Sequence, residues 1–176
     1  TFDSERYIMT YDNKSLRDLS ANVPYDFIYI IANTQKYGGG AIYNHYGISI
    51  SGNLHAAKVY VHEFGHLFLG LGDEYVEVGS SYNDMYPTNV EPWEANLTTL
   101  TNFNKKWKDM LDKDTPVPTT YDPQNPKKLG AYEGGGYVSK GVYRPRYDCL
   151  MNTLSGNDFC PVCTRAIKKQ IDFYTR

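Results

Sequence analysis

The run LHAAKVYVHEFGHLFLGL occupies residues 54–71 of this 176-residue chain. The run has apolar residues at helical spacing and no proline, and Asn53 precedes it in a position to cap a helix. Gly70 and Gly72 follow the last periodic residues, where glycine commonly ends a helix. The pattern therefore predicts one helix over the whole run.

Two histidines on this predicted helix are spaced as metal ligands. His62 and His66 lie four positions apart, about 40° around the helix axis, so both imidazoles face one side. Ring nitrogens at this spacing can bind one zinc ion, and Glu63 can reach a water there without ligating the metal. The alternative is two hydrogen-bonded core histidines, but burying both rings and a carboxylate without a metal carries three desolvation costs.

A catalytic zinc site needs a third protein ligand and an open fourth position. His55 lies two helical turns before His62, about 10 Å away, and cannot share the ion. His45 belongs to the preceding strand and is expected to line a cleft. The third ligand is therefore expected to be a carboxylate.

Carboxylates follow directly after the helix. If Gly70 ends the helix in a left-handed conformation, the chain turns back and Asp73 can approach the metal. Asp73 is the preferred third ligand, and Glu74 and Glu77 are the alternatives.

Outward from this helix, the pattern predicts further elements on both sides. Upstream it predicts a helix over 15–22 capped by Ser15 or Asn13, a buried central strand over 25–32, and a strand over 41–51. Downstream it predicts a short helix over 102–112, a proline-rich linker over 116–126, and a helix over 161–174 with Ile171 and Phe173 or Tyr174 facing inward. This order favours one α+β domain over 1–176, with an upper half of about 1–74 and a lower half of about 75–176.

The composition is that of a globular protein, with 41% apolar and 22% charged residues. The longest apolar run is residues 27–32, whereas a membrane-spanning helix needs about 20 residues, so no transmembrane segment is expected. The net charge of −2 gives no general attraction to phosphate backbones, so nucleic acid is not an expected partner. None of these features predicts the oligomeric state.

Residues 76–100 carry four acids, Glu77, Asp84, Glu91 and Glu94, and no Lys or Arg. Such a stretch can hold Ca²⁺ or can form a solvated rim, and the rim is preferred.

Three cysteines, Cys149, Cys160 and Cys163, lie near the end of the chain. They can form part of a structural zinc site, a redox pair or a disulfide. Zinc usually needs four ligands and only Cys149 is available as a third thiolate. The preferred interpretation is therefore a disulfide from Cys149 to Cys160 or Cys163.

The pattern His62-Glu63-x-x-His66 with Gly70-x-x-Asp73 resembles the zinc motif of metzincins, with Asp in place of the usual third His. The glycine and the third ligand each come one position later here, as a helix one residue longer would require. The segment 148–151, DCLM, resembles the methionine turn of metzincins and places Met151 there.

The resemblance is sharpest to the bacterial IgA-peptidase family of metallopeptidases. The similar stretches are YGGG at 37–40, IYN at 42–44, VHEFGHLFLGLGDEY at 61–75, YEGGGY at 132–137, YRP at 143–145, CLM at 149–151 and FCPVC at 159–163. The resemblance implies a secreted or cell-surface endopeptidase with a metzincin-like fold. It does not carry over immunoglobulin A as the substrate. Members often have further residues upstream, and this chain begins at Thr1, as expected of a catalytic fragment of a longer protein.

The mechanism expected from these parts is hydrolysis of a peptide bond. Zinc is held by His62, His66 and Asp73, and Glu63 takes the proton of the attacking water and passes it to the leaving amine. Extended protein substrate is expected to pair with the edge of the 41–51 strand. The expected substrate-binding residues are Gly39, Gly40, Ile42, Tyr43 and Asn44, and the candidate oxyanion tyrosines are Tyr143 and Tyr147.

Two competing functions remain at this stage. One is an inactive peptidase-like binding or adhesion module with a structural metal, against which the intact Glu63 argues because only catalysis needs it. The other is a zinc hydrolase acting on a bond other than a peptide bond, since the metal ligands do not specify the substrate.

Overall fold

The computed structural model describes residues 6–77, 85–156 and 158–176. These residues form an α+β fold, as predicted, with three α-helices and two small sheets. The chain divides into two compact units, Thr1–Gly70 and Leu71–Arg176. In the part of the chain that the structure describes, the helices are too short or too polar to cross a membrane.

The first unit contains two helices and a three-stranded mixed sheet. Its elements are α1 (Asn13–Ser20), β1 (Tyr29–Ala32), β2 (Gly39–Ile42), β3 (Tyr46–Ile50) and α2 (Ala56–Leu69). β3 is central, parallel to β1 and antiparallel to β2. α2 packs against β2 and β3, so the sheet supports the helix that carries the histidines.

The apolar run over 25–32 does not form the central strand that we predict. Its strand begins only at Tyr29 and lies at a sheet edge, where Ile31 is 60% exposed. The central position belongs to β3, whose five residues are all buried. Tyr46 and Ile48 of β3 pack in a core with Ile28. An apolar run shows that a segment is partly buried, but the pairing of strands decides which one is central.

The single strand predicted over 41–51 is wrong, because this segment is a hairpin of β2 and β3. Asn44 has a φ of 54° in the connecting turn, a left-handed conformation that Asn tolerates better than most residues. The N–H of His45 donates to the carbonyl of Ile42 at 3.0 Å and closes this turn.

The central helix is confirmed but is two residues shorter at each end than the predicted 54–71, and Gly70 ends it as predicted. α2 stops at Leu69, and Gly70 has φ 59° and ψ 35°, the left-handed conformation of a C-cap. The N–H of Gly70 donates to the carbonyl of His66 at 3.0 Å. Asn53 does not cap the helix itself, since its side chain accepts from the N–H of the N-cap residue His55.

Two other helix predictions need correction. α1 begins at Asn13, and its cap is Asp12, whose carboxylate accepts from the N–H of Ser15 at 3.0 Å. The segment 102–112 forms two 3₁₀ turns, Phe103–Lys105 and Lys108–Met110, instead of an α-helix.

The second unit contains a two-stranded sheet and the last helix. β4 (Tyr132–Gly135) and β5 (Val138–Arg144) pair antiparallel with a register shift, and α3 spans Pro161–Tyr174 as predicted. Only the first turn of α3 is buried, so the prediction that its last residues face inward is wrong: Ile171 is 47% and Phe173 72% exposed.

Candidate metal centre

α2 brings the two histidines of the motif together. Nε2 of His62 and Nε2 of His66 lie 3.1 Å apart, with the rings at 82° to each other. Two nitrogens bound to one tetrahedral zinc ion at about 2.0–2.1 Å would be separated by about 3.3–3.4 Å. The two nitrogens are therefore close to the spacing of ligands that share one metal ion. Both side chains are half-buried, so the pair retains access to solvent.

Asp73 completes this group. One ligand atom from each of His62, His66 and Asp73 can be chosen so that all three lie within 4.8 Å of one another. Asp73 comes three residues after the left-handed Gly70 and is 6% exposed. Glu77, one alternative for the third ligand, belongs to neither group of candidate metal ligands among the described residues. Two imidazoles and one carboxylate are a donor set that fits zinc.

Tyr137 is a site residue that sequence reasoning missed. Its hydroxyl donates a hydrogen bond to Oδ2 of Asp73, and the N–H of Gly136 donates to the backbone carbonyl of Asp73 at 2.8 Å. Tyr137 has a φ of 70°, which is uncommon for a residue other than glycine and often marks a functional position. Its place directly after three glycines is the sequence signal that could have found it.

The two tyrosines proposed for the oxyanion have other contacts. Tyr143 pairs through its backbone with Thr98, with its N–H donating to the Thr98 carbonyl at 2.8 Å. The ring of Tyr147 stacks on that of Tyr121, with the centroids 3.8 Å apart. An oxyanion role for either tyrosine stays a prediction.

Glu63 lies against the backbone of β2. A Cβ atom added at Gly39 would lie 2.7 Å from Oε1 of Glu63 and 2.8 Å from Cγ1 of Val59. A larger residue at this position would displace the Glu63 or Val59 side chain, so glycine lets the strand approach the carboxylate closely.

The expected substrate edge is only partly available. β3 is paired on both sides, so it offers no edge. On β2, the N–H of Gly39 donates to the carbonyl of Arg6 at 3.0 Å, and the carbonyl of Gly39 accepts from the N–H of Ile8 at 3.1 Å. The backbone of Gly39 is therefore already paired. Ile42 and Tyr43 are 43% and 46% exposed at the end of the hairpin, where contact with a substrate stays a prediction.

Met151 lies in a tight turn. The carbonyl of Cys149 accepts from the N–H of Asn152 at 2.8 Å, and the Met151 side chain is fully buried. The carbonyl of Met151 accepts from the N–H of Glu74 at 2.7 Å. This turn therefore holds the residue that follows Asp73, and its assignment as a methionine turn stays a prediction.

Comparison with known proteins identifies the family of this chain. A family model described as IgA Peptidase M64 matches residues 1–125 and 121–171. The chain belongs to the IgA peptidase M64 family. This match confirms the resemblance found from the motifs, and it indicates a metallopeptidase that acts on protein. A search of curated proteins found no significant match.

This M64 peptidase has a second group of candidate ligands, formed by Glu74, Cys149, Cys160 and Cys163, all of them buried. The cysteines are free thiols, with Sγ of Cys163 3.9 Å from that of Cys149 and 3.5 Å from that of Cys160. A disulfide bond is about 2.05 Å long, so the predicted disulfide is not formed here and stays a prediction.

The side chains of the second group affect one another's pKa. Burial raises the pKa of Glu74 well above its usual value and does the same for Cys163. Hydrogen bonds from the other two thiols lower the pKa of Cys149, which makes this sulfur the preferred thiolate of the three.

The acidic stretch over 76–100 gives no support for calcium in the described residues. Asp84 lies outside them. Glu91 accepts from the N–H of Asn102 at 2.8 Å, and Glu94 accepts from the Tyr86 hydroxyl at 2.8 Å. These carboxylates serve loop contacts, and calcium binding stays a prediction.

Proposed function

We propose that the chain is a zinc endopeptidase in which His62, His66 and Asp73 hold the metal and Glu63 is the general base. The observation that carries this proposal is the approach of three ligand atoms to within 4.8 Å of one another on a HExxH helix. Membership of a peptidase family supports a peptide bond as the target.

The donor set favours a catalytic site over a structural one. Three protein ligands leave one position of a tetrahedral zinc ion open, and the half-buried histidines keep that position accessible. A zinc ion bound there would supply Lewis acidity that polarises a carbonyl and lowers the pKa of water.

Glu63 is placed to move the proton. Its carboxylate adjoins His62 in the chain and lies against the Gly39 backbone, which limits its movement. Burial, with a contribution from the Glu63 charge, raises the pKa of Tyr37, so this neighbour stays a neutral hydroxyl. Glu63 can therefore accept a proton from the attacking water and return it to the departing amine.

Tyr137 acts as a positioning residue. Its hydrogen bond to Oδ2 of Asp73 fixes one carboxylate oxygen and leaves the other to ligate. Groups that hold metal ligands in this way raise both affinity and geometric precision.

The substrate is an extended protein segment that reaches Ile42 and Tyr43 at the exposed end of the hairpin. Secretion or cell-surface exposure is part of this proposal and rests on the family resemblance. An inactive binding module is the weaker alternative, because Glu63 is present and the family is one of peptidases.

A fluorogenic peptide library, assayed with and without a zinc chelator, tests the proposal. Hydrolysis should stop on chelation and return when zinc is added back. His66→Ala should lose hydrolysis and the zinc ion bound at α2, whereas His55→Ala, an exposed histidine at the start of the same helix, should keep both. Turnover that is indifferent to the chelator, or that survives in His66→Ala, would contradict the assignment.

A further inference from the structure

The second group of candidate ligands lies wholly within the second unit. One ligand atom each from Glu74, Cys149, Cys160 and Cys163 can be chosen so that all four lie within 4.8 Å of one another. Glu74, Cys149, Cys160 and Cys163 each have 0% exposure. We propose that these four side chains form a closed, structural zinc site, separate from the candidate metal centre on α2.

The distances match the edges of a zinc tetrahedron. Zinc–sulfur bonds of about 2.3 Å place two sulfurs about 3.8 Å apart, and a sulfur and an oxygen ligand about 3.5 Å apart. Sγ of Cys163 lies 3.9 Å from Sγ of Cys149, 3.5 Å from Sγ of Cys160, and 3.5 Å from Oε1 of Glu74. Glu74 supplies the fourth ligand that three cysteines lack.

The carboxylate of Glu74 is an independent sign of a ligand. Its Oε2 atom is buried and has no hydrogen-bond partner within residues 6–77, 85–156 and 158–176. Its Oε1 atom accepts from Nδ2 of Asn96 at 2.9 Å, and Asn96 is itself held by Gly72 through two hydrogen bonds of 2.8 Å. A buried carboxylate oxygen without a partner is costly, and a cation would remove that cost.

Backbone N–H groups donate hydrogen bonds to two of the cysteine sulfurs and so favour their thiolate form. The N–H of Cys160 donates to Sγ of Cys149 at 3.2 Å, and the N–H of Cys163 donates to Sγ of Cys160 at 3.5 Å. Cys160 is the N-cap of α3. Hydrogen bonds and a helix N-terminus both stabilise thiolates, which are the form that binds zinc.

Two buried arginines compensate the negative charge of the group. The charge of Arg144 acts on Glu74, and the charge of Arg146 acts on Cys149 and Cys160. Two guanidinium groups and one divalent ion match the charge of three thiolates and one carboxylate, although Arg146 also pairs with a partly exposed carboxylate.

The other interpretations of the cysteines explain less. A disulfide would use two sulfurs and leave the third thiol and the Oε2 atom of Glu74 buried without a ligand. A redox pair needs a sulfur that a partner can reach, and all three are fully buried. Zinc uses all four groups and favours thiolate-rich tetrahedral sites.

The test is metal analysis of the double variant His62→Ala/His66→Ala, which removes the ligands on α2. Purified under reducing conditions without chelator, it should retain one zinc ion per chain by mass spectrometry. A mercurial reagent that titrates three thiols should release that zinc. In the cobalt-substituted double variant, thiolate-to-cobalt charge-transfer bands should appear in the near ultraviolet.

A folded double variant without zinc would overturn the proposal, as would a single free thiol in the denatured, unreduced protein. If the wild type binds zinc and the double variant binds none, all of the bound metal lies at α2 and the proposal is wrong. These results are independent of whether the α2 site is catalytic.

A matched pair of carboxylate variants sharpens the test. Glu74→Gln keeps the side-chain shape and should lower zinc affinity in the double variant by at least about tenfold. Glu94→Gln, at a buried carboxylate of the same unit that contacts Tyr86 instead, should leave zinc affinity unchanged. Equal affinity in both variants would exclude Glu74 as a ligand.

Discussion

The two groups of candidate ligands differ in exposure. Asp73 belongs to one group and Glu74 to the other, although the two residues are adjacent in the sequence. The two histidines that accompany Asp73 are half-buried, whereas the three cysteines that accompany Glu74 are fully buried. Catalytic zinc sites keep a position open and structural ones close all four. Exposure and the number of ligands therefore distinguish the two groups, although Asp73 and Glu74 are adjacent in the sequence.

The backbone after Gly70 explains how neighbouring acids separate. The carbonyl of Asp73 accepts from Gly136, whereas the N–H of Glu74 donates to Met151. Successive residues therefore bond to different segments. Tyr137 holds the first carboxylate and Asn96 the second, so each acid is committed to its own group.

Replacing Glu63 should separate catalysis from metal binding and should change activity more than any other substitution. Glu63→Gln removes the proton acceptor but no metal ligand, so we expect kcat to fall by about 10²–10⁴-fold with unchanged zinc content. Peptide hydrolysis and metal analysis of the same preparation measure both. Wild-type turnover in the variant would mean that Glu63 is not the base.

The next effect concerns stability and belongs to the closed group alone. Cys163→Ser removes one thiolate and leaves a buried carboxylate less compensated, so we expect the free energy of unfolding to fall by about 3–5 kcal/mol. Urea unfolding at neutral pH measures the change, with Glu94→Gln as the control. A loss no larger than that of the control would show that no metal stabilises the second unit.

A smaller effect is expected from the residue that holds Asp73. Tyr137→Phe removes one hydrogen bond and keeps the ring, so zinc affinity at α2 should fall by about 10–100-fold. Competition with a chromophoric chelator measures the affinity. If Tyr137 only holds Asp73 in place, added zinc should restore hydrolysis in the variant. An unchanged zinc affinity would mean that the Tyr137 hydroxyl does not contribute to the site.

The smallest effect is a pH dependence from a histidine outside both groups. Burial and the charge of Arg17 lower the pKa of His45 below its usual 6.5, and its Nδ1 lies 2.5 Å from Nη2 of Arg17. As pH falls, the unfolded chain binds this proton first, so stability present above pH 6.5 is lost through the folded pKa.

Urea midpoints of wild type and His45→Gln, compared from about pH 7.5 to about pH 5.5, isolate this contribution. The wild type should lose more stability than the variant over that range. Parallel curves would remove His45 as a source of the pH dependence.

Local patterns predicted the helix of the metal ligands well, because its information is contained in adjacent residues. The spacing of His62 and His66 and the left-handed Gly70 follow from helical periodicity and glycine chemistry. The limits of α3 were likewise readable from Pro161 and the apolar pattern.

Features that depend on distant pairing were not predicted. The turn that divides the predicted 41–51 strand into β2 and β3 depends on one left-handed residue, Asn44. The strand pair of β4 and β5 was not predicted, because three consecutive glycines interrupt its sequence pattern. Glu74 and Cys163 are 89 positions apart. No local pattern could join them, so the fourth ligand of the cysteine group became visible only in the fold.

Anomalous diffraction at the zinc absorption edge, from crystals of the wild-type chain, would locate the metal beside the histidines of α2. We expect an anomalous peak for one zinc ion within bonding distance of Nε2 of His62, Nε2 of His66 and a carboxylate oxygen of Asp73. An ordered α2 whose histidines hydrogen-bond only to protein, with no peak beside them, would contradict this expectation.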